Sequence, residues 1–163
     1  MTRYHRFATP LGLVFATAIG GAVTGLYYVG GRHAPDIDPR WANDPKSEPL
    51  AACEKQLNEY LDGLRMRFDL VVEPQGTPFQ HRIWNEIARI PYGEVITYAE
   101  LARRAGVPSC ARAAGAATGR NPLSIIVPCH RVVGSQGSLT GYAGGLERKE
   151  RLLALESRVQ VAA

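Results

Sequence analysis

Residues 7–31 contain no charged side chain, and this is the feature that most limits how the chain can fold. Because basic residues precede the run, a signal peptide or a membrane helix is the first alternative. Glycines and a proline divide the run into segments of strand length, rich in β-branched and aromatic residues. We therefore predict buried strands at residues 13–19 and 22–29, joined at residues 20–21, and a meander completed by a first strand at residues 4–8.

The rest of the first half predicts a small sheet-and-helix domain. Residues 31–49 are rich in proline and mixed charges, which is typical of a loop. Apolar residues then recur at three- and four-residue steps over residues 50–64, which predicts an amphipathic helix with Cys53 in the core. Residues 68–72 are predicted to form a short strand, and the first domain is predicted to span residues 1–75.

A second domain, residues 76–163, is predicted to be mainly helical, which makes the chain an α/β protein of the α+β type. The pattern predicts an amphipathic helix at residues 79–90 that Pro91 ends. A final helix is predicted at residues 146–155, and Glu156 would close it. Because a glutamate opposes the dipole at a helix C-terminus, Glu156 is expected to have a compensating partner or to be solvated.

Two short helices between these predict a helix-turn-helix. Thr97 and Glu100 have the spacing of a capping box, in which the two side chains satisfy the first amides of a helix. Gly106 would end that helix, and Ser109 is a suitable N-cap for the next one at residues 110–118. This motif alone is not specific, since many helix pairs bind nothing.

The second of these helices is built almost entirely from alanine and glycine. A helix that reads bases in the major groove needs long polar side chains, and only Arg112 and Arg120 reach far here. Small residues permit close approach of the helix, either to the floor of a minor groove or to another helix. Taken by itself, the pattern favours neither alternative.

Residues 121–131, NPLSIIVPCHR, contain the main candidate for chemistry. A short apolar strand at residues 125–127 would deliver Cys129 beside His130 and Arg131. Nearby positive charge lowers the pKa of a cysteine, so the pattern predicts a nucleophilic thiolate. The alternative is a cysteine that serves only as a small core residue.

Charge and cysteine usage restrict the partners and the compartment. The net charge of +4 permits a polyanionic partner without requiring one. The three cysteines are an odd number without CxxC spacing, which argues against a disulfide framework and against structural zinc. We therefore expect no metal, no membrane association, and a reducing, cytoplasmic setting.

Four blocks of sequence resemble the O6-alkylguanine-DNA alkyltransferases, the methylated-DNA–protein-cysteine methyltransferases. They are PYGEVITYAELA at residues 91–102, ARAAGAATGRNP at 111–122, IIVPCHRVV at 125–133 and TGYAGGLERKERLLALE at 140–156. Their order and spacing make the resemblance specific. The first 75 residues resemble only the variable N-terminal domain of that family.

The resemblance implies a role for each of five catalytic candidates. Cys129 would accept an alkyl group from the O6 atom of guanine, in a single turnover that needs no cofactor. His130 would take the thiol proton through a water molecule, and Glu156 would orient His130. Asn121 would be the hinge before the nucleophile, and Tyr98 would assist base flipping and give a proton to the leaving guanine.

The resemblance also implies contacts with double-stranded DNA that carries O6-alkylguanine, with the protein as a monomer that is nucleoid-associated when bound. Arg112 would fill the space left in the duplex by the flipped base. The other groove-facing candidates are Ala111, Gly115, Thr118 and Arg120. The candidates for the wall of the base pocket are Val132, Ser135, Tyr142, Ala143 and Gly144.

Three other functions compete with repair by alkyl transfer. A non-catalytic protein that binds alkylated DNA would lack the acceptor thiol, whereas Cys129 is present. A transcription regulator needs long side chains on its recognition helix, and these are scarce here. A Cys-His hydrolase is distinguished by repeated turnover of an ester or peptide, and no protease signature surrounds Cys129.

Overall fold

A computed structural model describes residues 1–162, beginning with an antiparallel meander of three strands. These are β1 (Thr2–Thr9), β2 (Gly12–Ile19) and β3 (Ala22–Tyr28), so the predicted meander is confirmed. The predicted loop contains one addition, β4 (Ala42–Asn43), which pairs in parallel with β1. The strand order is therefore β3-β2-β1-β4, with β3 at an edge of the sheet.

Burial on both faces of the sheet explains the uncharged run. Five consecutive residues of β2, residues 14–18, are buried, and helix α1 (Glu48–Leu61) packs across β1, β2 and β3. A strand buried on both faces needs continuous apolar sequence instead of alternation. Among residues 1–162, no helix has the length and apolarity to cross a membrane.

The helices are close to the predicted ones, but two other predictions, on Glu156 and on a short strand, need correction. They are α1, α2 (Pro78–Ala88), α3 (Tyr98–Arg104), α4 (Ala111–Gly119) and α5 (Leu146–Ala162). Helix α5 continues past Glu156, so this residue is not at a helix C-terminus and its carboxylate needs another explanation. The predicted strand at residues 68–72 is wrong, since only an isolated bridge between Val72 and Val23 forms there.

The helix-turn-helix consists of α3 and α4, which pack on each other and on α2. Thr97 caps α3 by accepting a hydrogen bond from the Glu100 amide, but the Glu100 carboxylate binds Arg103 and Arg104 instead of completing a capping box. The residue before α4 is Cys110 and not Ser109. These differences leave the predicted pair of helices in place.

The segment that leads to Cys129 forms hydrogen bonds with the edge of β3 that faces away from β2. Leu26 donates its amide to Pro122 and accepts from the Ser124 amide, at 2.8 and 3.1 Å. The predicted strand at residues 125–127 is wrong, because Ile125 has φ = 72° and the chain turns there. Side chains from both halves of the sequence share one buried cluster, and the division into two domains stays a prediction.

Candidate active site

The side chain of Asn121 closes the turn before the cysteine. Its Nδ2 donates to the carbonyl oxygens of Val127 and Leu123, at 2.9 and 3.3 Å, and its Oδ1 accepts from the Leu123 amide at 2.9 Å. The residue is buried. One amide therefore substitutes for the backbone pairing that a strand would have provided, and it fixes the direction in which the chain reaches Cys129.

Cys129 begins a short 3-10 helix, Cys129–Arg131, and is only 5% exposed. Burial raises the pKa of this thiol, while Asn121 and the charge of Lys149 act in the opposite direction. The resting group is therefore a thiol, and the prediction of a thiolate held by His130 and Arg131 is wrong. The two neighbouring side chains are directed towards Glu156 instead.

His130 is completely buried and pairs with the last helix. Its Nε2 lies 2.7 Å from Oε2 of Glu156. Among the described residues, its Nδ1 has no hydrogen-bond partner although that atom is also buried. Burial lowers the pKa of His130 well below its usual value, and the charges of Arg131 and Lys149 add to this effect. A neutral ring that donates from Nε2 to the Glu156 carboxylate has its lone pair on Nδ1.

Glu156 is held by three side chains, those of His130, Arg131 and Tyr60. Arg131 donates from Nε and Nη2 to the two carboxylate oxygens, at 2.8 and 2.9 Å, and from Nη1 to the carbonyl of Ile90 at 2.7 Å. The hydroxyl of Tyr60, in α1, also donates to the carboxylate. Burial raises the pKa of Glu156, whereas these donors stabilise the charged form that orients His130.

A buried lysine lies beside the thiol. The Nζ atom of Lys149 donates to the carbonyl oxygens of Val132 and Thr140, at 2.6 and 2.8 Å, and is 3.5 Å from that of Gly141. Burial lowers the pKa of Lys149, and the nearby Cys129 opposes this shift. Lys149 joins the segment after the cysteine to the following loop, and it places a positive charge where a thiolate would form.

Tyr98 connects the helix-turn-helix to the predicted pocket loop. Its hydroxyl donates to the carbonyl of Thr140 at 3.1 Å, and its ring lies beneath Lys149 Nζ at 5.9 Å. A Cβ added at Gly115 in α4 would be 3.6 Å from the same ring, which is ordinary contact. Gly115 therefore packs on Tyr98 and is half-buried.

Four of the five predicted pocket residues pack against the rest of the protein, whereas Ser135 does not. Val132 and Tyr142 are buried, and the ring of Tyr142 meets that of His130 edge to face at 6.5 Å. Ala143 accepts a backbone hydrogen bond from Arg32, whereas Gly144 packs against the rings of Tyr28 and Tyr142. Ser135 lies apart from these, in an exposed 3-10 turn that its own backbone helps to form.

The outer face of α4 is open and carries the predicted arginines. Arg112 and Arg120 are exposed, and Ala111 is partly exposed. The prediction that Thr118 faces a groove is wrong, because this residue is 4% exposed and its hydroxyl donates to the carbonyl of Ala114. The inner face of α4 therefore packs in the protein, as one interpretation of the small residues predicts, while the outer face stays exposed.

Three site residues were missed in the sequence. Tyr60 and Tyr28 lie in the N-terminal half, where their spacing indicates only core positions. Lys149 had a signal, since it precedes Glu156 by seven residues, or two turns, and therefore shares its helix face. Within residues 1–162, no group of three or more His, Cys, Asp or Glu side chains could hold a metal ion.

Comparisons with known proteins show which family this chain is similar to. Residues 78–158 match the family model described as 6-O-methylguanine DNA methyltransferase, DNA binding domain. A protein of Mycolicibacterium paratuberculosis named methylated-DNA–protein-cysteine methyltransferase is 41% identical, over 97% of this chain and 94% of its own length. One with the same name from Methanosarcina acetivorans is 42% identical, over 94% and 97%.

A solved structure extends the similarity to three dimensions. The crystal structure of Mycobacterium tuberculosis OGT in complex with DNA superposes with a TM-score of 0.89 at 39% identity, covering 96% of this chain and 94% of that one. The mixed fold, with its small sheet and five helices, is therefore shared along nearly the entire chain.

Proposed function

The chain belongs to the methylated-DNA–protein-cysteine methyltransferase family, and we propose that it repairs DNA by direct reversal, moving an alkyl group from O6 of guanine in duplex DNA to Cys129. The observation that carries this proposal is the buried thiol of Cys129 next to a neutral His130 whose Nε2 is bound by Glu156. A soft sulfur nucleophile with an adjacent base suits in-line attack on a saturated carbon.

Bonds and protons balance in one transfer. The sulfur of Cys129 bonds to the alkyl carbon as the bond from that carbon to O6 breaks. The thiol proton passes through a bridging water to Nδ1 of His130, and Glu156 stabilises the resulting imidazolium. The departing guanine takes a proton from the Tyr98 hydroxyl, which is restored by the proton that left the thiol.

The thiol of Cys129 is expected to lose its proton only during the transfer, because burial disfavours its charged form. Burial raises the pKa of Cys129, so a thiolate is not present in the resting protein. The charge of Lys149 lowers the pKa of Cys129, so it stabilises the thiolate as it forms. The product is a thioether, a poor leaving group, so each molecule acts once and needs no cofactor.

Binding to DNA is proposed to use the outer face of α4. Its small residues permit close approach to a groove, and Arg112 is exposed and long enough to enter the duplex. A base inside the stack is inaccessible to a buried cysteine, so the lesion must be flipped out, at a cost of a few kcal/mol. Affinity should fall with salt and depend little on sequence.

The substrate, the oligomeric state and the compartment are part of the same proposal. The substrate is O6-alkylguanine in double-stranded DNA. The acceptor, the base and the proposed DNA-binding helix all come from one chain, which supports action as a monomer. The three free cysteines support a reducing, cytoplasmic location, with the protein on the nucleoid when it is bound.

Intact-protein mass spectrometry after mixing with a stoichiometric duplex that contains one O6-methylguanine tests the function. We expect a gain of one methyl group per molecule, mapped to Cys129 and absent from Cys129→Ser. Cys110→Ser, which removes the partly exposed cysteine, should still react. Tight binding to the lesion without a mass change would refute transfer and favour a protein that only recognises the damage.

A further inference from the structure

The end of β3 contacts the loop that is proposed to line the base pocket. The hydroxyl of Tyr28, the last residue of β3, lies 2.9 Å from the hydroxyl of Tyr142. Both side chains are buried, and their rings meet edge to face at 5.9 Å between centroids. A residue from the N-terminal sheet is thus a direct partner of a proposed pocket residue.

Tyr28 is itself held from several sides. The guanidinium carbon of Arg148 lies 4.5 Å above its ring centroid. A Cβ added at Gly144 would be 2.5 Å from the Tyr28 ring and 2.9 Å from that of Tyr142. Because real Cβ atoms do not approach so closely, the two rings and the Gly144 backbone are packed without free space.

The backbone at this end of the sheet supports the same loop. The amide of Arg32 donates to the carbonyl oxygen of Ala143 at 2.9 Å. A Cβ added at Gly31 would lie 3.2 Å from that oxygen and 3.0 Å from the carbonyl oxygen of Tyr28. The chain that leaves β3 is therefore fixed to both the backbone and the aromatic side chain of the loop.

The Tyr28–Tyr142 pair is close to the reacting groups. The Tyr142 ring meets the His130 ring edge to face at 6.5 Å. A negative charge on Cys129 would act on both phenols, opposing their ionisation. Burial also raises the pKa of both tyrosines, so both hydroxyls are neutral. Tyr142 is therefore a neutral side chain held in place near the thiol.

We infer that Tyr28 is a positioning residue for specificity: it holds Tyr142 in place and thereby limits the size of the alkyl group that the pocket accepts. This inference rests on the proposed function. The hydrogen bond between the two hydroxyls and the close packing of the rings prevent Tyr142 from moving away from the pocket. Removing its support allows Tyr142 to move and the pocket to widen.

The test compares two lesions, O6-methylguanine and O6-benzylguanine, in the same duplex sequence. The second-order rate constant for each is measured by mass spectrometry on one protein preparation, and their ratio is independent of the active fraction. In Tyr28→Phe, which loses the hydroxyl only, we expect the ratio of benzyl to methyl to rise at least threefold. In Tyr28→Leu, which also leaves space behind Tyr142, we expect a rise of about tenfold or more.

The neighbouring tyrosine provides matched controls. Tyr27 precedes Tyr28 on the same strand, so its side chain has the opposite direction, and its ring packs on Phe15 with centroids 5.1 Å apart. Tyr27→Phe and Tyr27→Leu should leave the ratio at the wild-type value. In a Tyr142→Phe background, Tyr28→Phe should not change the ratio further, because each substitution removes the same hydrogen bond between the two hydroxyls.

The outcomes separate this inference from the proposed function. If the wild-type protein transfers methyl groups but neither Tyr28 variant raises the ratio at least threefold, Tyr28 has no role in specificity. An equal fall in both rate constants would show a structural role only, and it would also overturn the inference. Failure of the proposed function is a different result, since the wild-type protein would then acquire no methyl group.

Discussion

Arg131 binds both carboxylate oxygens of Glu156, through Nε at 2.8 Å and Nη2 at 2.9 Å, in a part of the core that is closed to solvent. The arginine that follows the cysteine and the histidine is therefore the counter-ion of the carboxylate. It keeps Glu156 in position, and Glu156 in turn orients His130.

Replacement of Glu156 by glutamine should strongly destabilise the protein. The change leaves the Arg131 guanidinium buried without an opposite charge, and loss of one partner from a buried pair costs about 3–5 kcal/mol. Urea unfolding followed by circular dichroism should show a clearly lower midpoint. The folded fraction should also transfer methyl groups more slowly, because His130 loses the charge that stabilises its protonated form.

Glu100→Gln is the control for this change. Glu100 also binds two arginines, Arg103 and Arg104, but on the surface, where solvent screens the pairs. Its loss of stability should be much smaller than that of Glu156→Gln. Equal losses would show that burial of the Arg131–Glu156 pair does not determine its contribution.

Replacement of Lys149 by methionine should move the pH dependence of transfer. Burial raises the pKa of Cys129 and the charge of Lys149 lowers it, so removing the charge raises this pKa further. The single-turnover rate at saturating DNA should rise as pH increases, because deprotonation of Cys129 becomes easier. In Lys149→Met the rise should occur at higher pH, with the rate at neutral pH reduced about tenfold or more.

Lys149→Arg preserves the charge and identifies the cause of that shift. Because arginine keeps the positive charge, any fall in its rate comes from altered packing, and its pH profile should keep the wild-type midpoint. A Lys149→Met profile that is lower at every pH but has an unchanged midpoint would mean that the lysine supports the loop and does not stabilise the thiolate.

Asn121→Ala should loosen the turn that carries the nucleophile. The change leaves the Leu123 amide unpaired and removes one of the two donors to the Val127 carbonyl oxygen, which keeps the Cys129 amide. An unsatisfied buried group costs about 1–3 kcal/mol. We expect that loss in urea unfolding, together with transfer slowed more than tenfold in the folded protein, measured by single-turnover kinetics.

Asn58→Ala is the matched control for Asn121. Asn58 also donates its side-chain amide to a carbonyl, that of Glu54, but within α1 and without closing a turn. Since alanine favours a helix, stability should be little changed. A stability loss as large as that of Asn121→Ala would show that such amides matter equally wherever they lie.

The sequence predicted the strands and helices that are determined by residues close together in the chain. The meander follows from glycine-divided apolar segments, and the helix pair follows from apolar spacing and caps. The strand at residues 125–127 was wrong because an apolar run has the same pattern in a strand and in a buried turn, and nothing local shows the positive φ of Ile125.

The site itself divides in the same way. Cys129, His130 and Asn121 lie within one short stretch and were identified together. The bond from Tyr60 to Glu156 joins residues 96 positions apart, so no local pattern could indicate it. The charge state of Cys129 was predicted wrongly because the sequence shows only which cations are near in the chain. It does not show that Arg131 faces Glu156, or that burial raises the pKa of the thiol.

Ala116→Glu should separate DNA binding from chemistry. Ala116 is exposed on α4, the helix proposed to approach the groove, so a glutamate there adds both bulk and a charge that phosphates repel. Transfer from O6-methylguanine in duplex DNA should fall more than tenfold at low salt. Reaction with the free base O6-benzylguanine, which needs no duplex, should keep the wild-type rate.

Ala154→Glu adds the same side chain at an exposed position of another helix, α5, and should leave both reactions unchanged. If the two variants lose duplex activity equally, the effect comes from net charge and not from the face of α4. If Ala116→Glu slows the free base as much as the duplex, then α4 affects the active site through Tyr98, and its outer face is not the surface on which the DNA binds.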